Sequence, residues 1–157
     1  MLVKQEDTLR DMSYQNPPPV GTPEHALWLV HWHFAFEDSD QIDMLGELYS
    51  DDIVWELPSA GILFHGKHDV IENYRRTFAA MDLSVFKFQP IEAFATSTRV
   101  FDDRVATFTV NDIDMLPMPG LQLRQGEQIS MRLTHCFHIE NGLISRENVY
   151  QIIARLP

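Results

Sequence analysis

A single cysteine, Cys136, stands in a chain of 157 residues. That rules out an intrachain disulfide and a thiolate metal cluster, and it fits a reduced, cytoplasmic setting. Positive charge is scarce as well. Lys and Arg number 12 against 23 Asp and Glu, a formal net charge of −11 with histidine neutral. Such a surface repels phosphate, which argues against nucleic acid and against an anionic membrane as partners. No apolar run approaches the roughly 20 residues of a membrane span. The opening stretch MLVKQEDTLRDM lacks the apolar core of a secretory signal. Internal repeats and internal linkers are missing too. With 45% hydrophobic residues, the chain suits one domain with a sizeable core.

Residues 1–20 read as a flexible N-terminal arm, polar at first and then extended through Asn16-Pro17-Pro18-Pro19. A single α+β domain is expected over 21–157. Thr22-Pro23-Glu24 opens a helix: threonine as N-cap, proline at the first helical position, and an early acid. Through Glu37 that helix is apolar on nearly every side, with Leu27, Trp28, Leu29, Val30, Trp32, Phe34 and Phe36, so deep burial is expected. Its tryptophans and an unpaired strand edge point to self-association. A second helix starts near Asp40, with Ile42, Leu45 and Leu48 inward. Ile53 to Leu57 reads as a short strand stopped by Pro58, and Ile62-Leu63-Phe64 as a brief return strand broken by Gly66. A third helix spans roughly 68–81, with Val70, Ile71, Tyr74, Phe78 and Met81 on one stripe.

Beyond that helix the period switches to two, giving strands near 84–97, 104–114, 129–140 and 143–153. Asp102-Asp103 reads as a hairpin tip, and Met115–Gln128 as a long loop over the open end. Helices first and antiparallel strands afterwards imply a curved sheet wrapped around the helices.

The strand entering Glu140-Asn141-Gly142 is the most telling. Ile129, Met131, Leu133, His135, Phe137 and Ile139 share one face, and His135 is the one polar side chain in that apolar row. A titratable group on a core face marks a candidate site. The bland alternative is a buried histidine held by a structural partner.

The run Tyr49-Ser50-Asp51-Asp52-Ile53-Val54-Trp55-Glu56-Leu57-Pro58 is followed by Phe64-His65-Gly66-Lys67 and a helix with Tyr74 and Phe78. With the closing stretch Thr134 to Ile144, these residues resemble the SnoaL-like branch of the nuclear transport factor 2-like superfamily over about residues 22–153. The resemblance implies a cone-shaped α+β barrel with an apolar pocket, usually a homodimer. Members include polyketide cyclases, steroid isomerases, limonene epoxide hydrolases and proteins with no known reaction.

His33 falls where the steroid isomerases place a tyrosine that donates to the developing oxyanion. His135 falls where they carry an acidic donor and where some cyclases carry a histidine. Two positions depart from the pattern. Leu57 stands where the isomerase general base sits, and Val149 where cyclases and epoxide hydrolases carry an acid, and neither moves a proton.

Glu147 is the candidate replacement, and its side depends on the hairpin. A two-residue Asn141-Gly142 turn would pair His135 with Asn148 and put Arg146 on its face. A three-residue loop with Gly142 as a left-handed bulge would pair His135 with Glu147. The dipeptide favours the first, the resemblance the second, and the second is the register expected. In the second register Glu147 orients His135 or serves as the acid, His135 is the base, and His33 holds an oxyanion. Trp55, Leu57, Tyr74, Phe78, Phe137 and Val149 would wall an apolar substrate pocket.

No metal is expected; among the histidines, only His33 and His135 together with Glu147 could make a two-histidine, one-carboxylate site. His31 and His33 face different ways on a helix, and His135 and His138 lie on opposite faces of a strand. Glu37-Asp38-Ser39-Asp40 and Asp51-Asp52 read as helix-end and turn chemistry. Cys136 lies on the face opposite His135.

The expectation is a cofactor-free acid–base enzyme of cyclase, isomerase or dehydratase type, acting on a small hydrophobic cyclic or polyketide-like molecule. The alternative is a binding or interaction module that has kept the fold without the chemistry.

Overall fold

The computed structural model describes residues 3–4, 13–37, 40–79, 81–111 and 122–155. Helix α1 (Pro23–Phe36) opens as its sequence requires: the Thr22 side chain accepts from the His25 backbone N–H at 3.2 Å, and proline takes the first helical position. Its all-round apolarity translates into burial, with Ala26, Leu27, Trp28, Leu29 and Val30 all in the core. A 3-10 turn (Ile42–Met44) leads into the one-turn helix α2 (Leu45–Leu48), burying Ile42, Leu45 and Leu48. Helix α3 (Lys67–Ala79) buries Val70, Tyr74 and Phe78 on one stripe.

The strands are β1 (Val3–Lys4), β2 (Tyr49–Leu57), β3 (Ile62–His65), β4 (Met81–Ala95), β5 (Arg99–Val110), β6 (Gln128–Glu140) and β7 (Leu143–Arg155). They form one sheet in the order β1-β4-β5-β6-β7-β2-β3, antiparallel except for the parallel pair β2–β7. The sheet curves around α1 into the expected α+β cone and is open, with β1 and β3 at its edges. No described helix is long and apolar enough to cross a membrane. The first half of the expected loop Met115–Gln128, residues 115–121, lies outside the described residues, and Gln128 already begins β6.

Two expectations need correction. Asp102-Asp103 is no hairpin tip: β5 runs straight through it, and the reversal is at Thr96–Thr98, where the Thr96 hydroxyl accepts from the Arg99 backbone N–H at 3.1 Å. The burial of Val100, Asp102, Arg104, Ala106, Phe108 and Val110 alternates without a break.

The β6–β7 register is also neither of the two expected. The turn is the two-residue kind, with Asn141 (φ 52°) and Gly142 (φ 78°) both left-handed, as a type I′ turn demands. Glu140 pairs with Leu143 and Ile139 with Ile144, but His138 then pairs with Arg146. Ser145 is the extra residue of a bulge, its hydroxyl donating to the His138 carbonyl at 3.3 Å. One inserted residue shifts the register, so His135 opposes Val149 and Phe137 opposes Glu147. His135 and Glu147 are not cross-strand partners, yet they share the inner face.

Residues 13–20 lie against α1. The Tyr14 ring stacks on Trp28 at 5.6 Å, and the Trp28 indole N–H donates to the Ser13 carbonyl at 3.0 Å. Trp28 is therefore covered from within the chain. His25 reaches the Pro18 carbonyl at 3.0 Å through Nδ1 and the Gly142 carbonyl at 3.1 Å through Nε2.

A Cβ at Gly142 would meet Val20 at 3.0 Å in a left-handed backbone. Gly142→Ala is expected to lower stability by about 1–2 kcal/mol, while Asn141→Gly stays within about 0.5 kcal/mol of wild type. Urea unfolding of both variants checks this; an unchanged midpoint for Gly142→Ala would contradict the turn assignment.

Candidate active site

Four elements converge on one carboxyl group. The Ser145 bulge turns Glu147 inward from β7, and the parallel pairing sets Trp55 of β2 directly beside it. Tyr74 arrives from α3 and His33 from α1. Glu147 is 0% exposed. The Tyr74 hydroxyl sits 2.8 Å from both carboxylate oxygens and has one proton to donate between them. It accepts in turn from the Trp55 indole N–H at 3.2 Å. Burial pushes the Glu147 carboxyl up to about 7; the neighbouring Glu37 adds to the rise, while His33 and the hydroxyls of Tyr74 and Tyr49 oppose it. At neutral pH this group is therefore divided between acid and carboxylate.

His33 is also 0% exposed. Its Nδ1 lies 2.9 Å from the Tyr49 hydroxyl. Its Nε2 lies 2.9 Å from Glu37 Oε1 and 3.6 Å from Glu147 Oε1, aligned with neither for a hydrogen bond. Burial lowers the imidazole to about 4, against the pull of Glu147, so the ring is neutral at pH 7 and these contacts are not ion pairs. Glu37, the residue that ends α1, is pushed by burial up to about 7.

A second cluster lies along the same inner face. Asp102 of β5 is directly opposite His135 of β6, with His135 Nδ1 3.4 Å from Asp102 Oδ1. Arg104 grips Asp102 through two bonds, Nε at 2.6 Å and Nη2 at 2.7 Å. The guanidinium lies over the Phe34 ring, 3.1 Å from its centroid, and 5.1 Å from that of Phe88. Burial alone would raise the Asp102 carboxyl; Arg104, with His135 adding, outweighs it and holds the group below its ordinary value. The Phe137 ring separates the two clusters, 5.1 Å from His33 and 5.7 Å from His135.

Of the residues singled out from sequence, His33 and Glu147 meet, and Tyr74 bonds Glu147 rather than merely lining a wall. His135 is on the same face but takes Asp102, not Glu147, as its carboxylate. Trp55, Leu57, Phe78, Phe137 and Val149 are all buried in the same core. His33 Nδ1 faces the Tyr49 hydroxyl, and Nε2 lies near the two carboxyls without a hydrogen bond to either. Sequence reasoning missed Asp102, Arg104 and the inward turn of Glu37. The alternating row from Val100 to Val110 and the i, i+4 spacing of His33 and Glu37 carried those signals. Among the described residues, no group of three or more His, Cys, Asp and Glu is placed to hold a metal ion.

Solved structures share this fold. An LEH-like epoxide hydrolase from M. tuberculosis is 14% identical, with 82% of this chain and 83% of that one covered at a TM-score of 0.62. A candidate polyketide cyclase from Xanthomonas campestris pv. campestris is 17% identical over 82% and 90%, at 0.63. An NTF2-like protein of unknown function from Cytophaga hutchinsonii is 14% identical over 83% and 99%, at 0.61. Identities this low show the fold alone. No curated protein matches. Residues 27–147 match the SnoaL-like domain, and the chain belongs to that family.

Proposed function

We propose that this chain is a cofactor-free acid–base enzyme, of cyclase, isomerase or dehydratase type, for a small hydrophobic cyclic or polyketide-like molecule. One observation carries the reading: Glu147 is a fully buried carboxyl, held by Tyr74 among aromatic side chains and pushed up to about 7. A group half-protonated near working pH both gives and takes a proton well. Glu147 acts as the acid. His135, facing the ionised Asp102, acts as the base, because a carboxylate beside one ring nitrogen fixes the tautomer and stabilises the imidazolium. His33 positions Glu147. Leu57 and Val149 exclude a mechanism borrowed from the isomerases or epoxide hydrolases.

The proton chemistry makes enolisation the step to test. Deuterium wash-in at the α-carbon of apolar ketones such as 2-tetralone, followed by NMR in D2O, reads it directly. His135→Gln and Glu147→Gln are each expected to slow exchange by about 10²–10⁴-fold with ketone affinity little changed. Exchange that survives in the double variant would sink the assignment. Ketones that bind without exchanging would favour a ligand-binding module instead, a reading supported by the mutual bonding of Trp55, Tyr74 and Glu147.

Ionisation of Glu147 also leaves a mark on stability. Its carboxyl binds a proton more tightly folded, at about 7, than at its ordinary 4.5. The resulting penalty is absent below about pH 4.5, grows through that interval and is complete above 7. Glu147→Gln keeps the acceptor for Tyr74 without the charge. It is expected to be more stable than wild type by about 1–3 kcal/mol at pH 8, with most of that difference gone at pH 4.5. Thermal unfolding at the two pH values checks the sign.

Homodimerisation in the cytoplasm belongs to the same reading. It is supported by the outer face of β7, where Tyr150 is 48% and Ile152 74% exposed. Ile152→Glu is expected to turn a dimer into a monomer in sedimentation velocity; an unchanged dimer would place the interface elsewhere.

A further inference from the structure

The acid of the proposed mechanism is sealed in. Glu147 is 0% exposed, so a proton it delivers must be replaced through neighbouring groups. One neighbour leads outward. His33 Nε2 lies between Glu37 Oε1 at 2.9 Å and Glu147 Oε1 at 3.6 Å, a buried ring nitrogen aligned with neither. A small swing of the ring or of either carboxyl aligns it with one or the other. Nδ1 meanwhile faces the Tyr49 hydroxyl, which can accept from an Nδ1–H as readily as donate to a bare Nδ1. Both tautomers of His33 are therefore satisfied at that end. Glu37 ends α1, and its side chain, 5% exposed against 0% for His33 and Glu147, is the one of this set that reaches the surface.

We infer that Glu37 and His33 form a proton relay that reloads Glu147 from the C-terminal end of α1. The steps balance. With the proton of His33 on Nδ1, the Glu37 carboxylic acid gives its proton to Nε2, leaving a carboxylate and an imidazolium between two carboxylates. Nε2 then gives that proton to Glu147 Oε1, and Glu37 recovers one from solvent. Three observations suit the traffic. Burial pushes both carboxyls up to about 7, so each carries a proton part of the time. The imidazole is pushed down to about 4, which keeps the charged intermediate short-lived. The titratable and charged groups facing the set from the sheet, Asp102, Arg104 and His135, lie in the neighbouring cluster and act on Glu37 and His33 only through space. Glu37 touches no reacting atom in this scheme; it positions and supplies a proton.

The relay rests on the acid role of Glu147, and its test separates the two. Protein labelled with [δ-13C]glutamate reports each carboxyl by NMR without any substrate. In wild type, Glu37 and Glu147 are expected to titrate interdependently around pH 7. In Glu37→Gln, Glu147 should follow a single-step curve with its midpoint lower by about half a pH unit or more, because a like charge is gone. A Glu147 curve unchanged by Glu37→Gln, in a variant whose amide spectrum shows an intact fold, would overturn the relay. With a substrate whose product carries the Glu147 proton away, as water does in a dehydration, Glu37→Gln is expected to preserve KM and the first-turnover rate while kcat falls about tenfold, since reloading then limits; in α-proton exchange alone the enol returns its proton to Glu147. An unchanged kcat would also overturn it. If no ketone is enolised, the acid–base reading fails, and the titration alone still decides whether the two carboxyls share protons.

Discussion

Everything at the centre of this molecule depends on one inserted residue. A type I′ turn at Asn141-Gly142, left to itself, would send Arg146 and Asn148 inward and Glu147 out. Ser145 interrupts the ladder, shifts the register by one, and exchanges the two faces of β7 from that point on. The shift replaces a cation against the aromatic core with a carboxyl that Tyr74 can hold. It also leaves Arg146 on the outer face, where Glu56 accepts from its Nη1 at 2.9 Å.

A core holding Glu37, Glu147, Asp102, Arg104, His33 and His135 is electrostatically demanding, and the two clusters answer that demand in different ways. Asp102 and Arg104 remain charged because each compensates the other through two short bonds. Glu147, Glu37 and His33 have no cation among them and respond by moving toward neutrality, the carboxyls upward and the imidazole downward. A fixed dipole and a labile set of protons thus lie side by side, separated by the ring of Phe137.

Much of this was legible in the sequence. Thr22-Pro23 marks a helix start by local chemistry, and the period-two row of β6 shows His135 pointing inward whatever its partner. The motifs around Tyr49 and Gly66 carry the fold. What local pattern could not give was set by partners distant in the chain. Nothing in Ser145 advertises a bulge, because the neighbouring strand decides where an extra residue fits. Asp102-Asp103 has the composition of a turn, and only Arg104 two residues on and His135 on the next strand make it tolerable inside a sheet. Glu37 has the look of a solvated helix end until His33, one turn back, is known to be buried.

The imidazole of His25 touches two carbonyls that lie on opposite sides of it in sequence, Pro18 seven residues back and Gly142 at a separation of 117. The segment before α1 and the tip of the last hairpin are therefore joined through a single side chain. A loop that long closes slowly relative to local helix formation. The joint is complete only when the segment before α1 and the tip of the last hairpin are both in place, so the two are secured together at one ring.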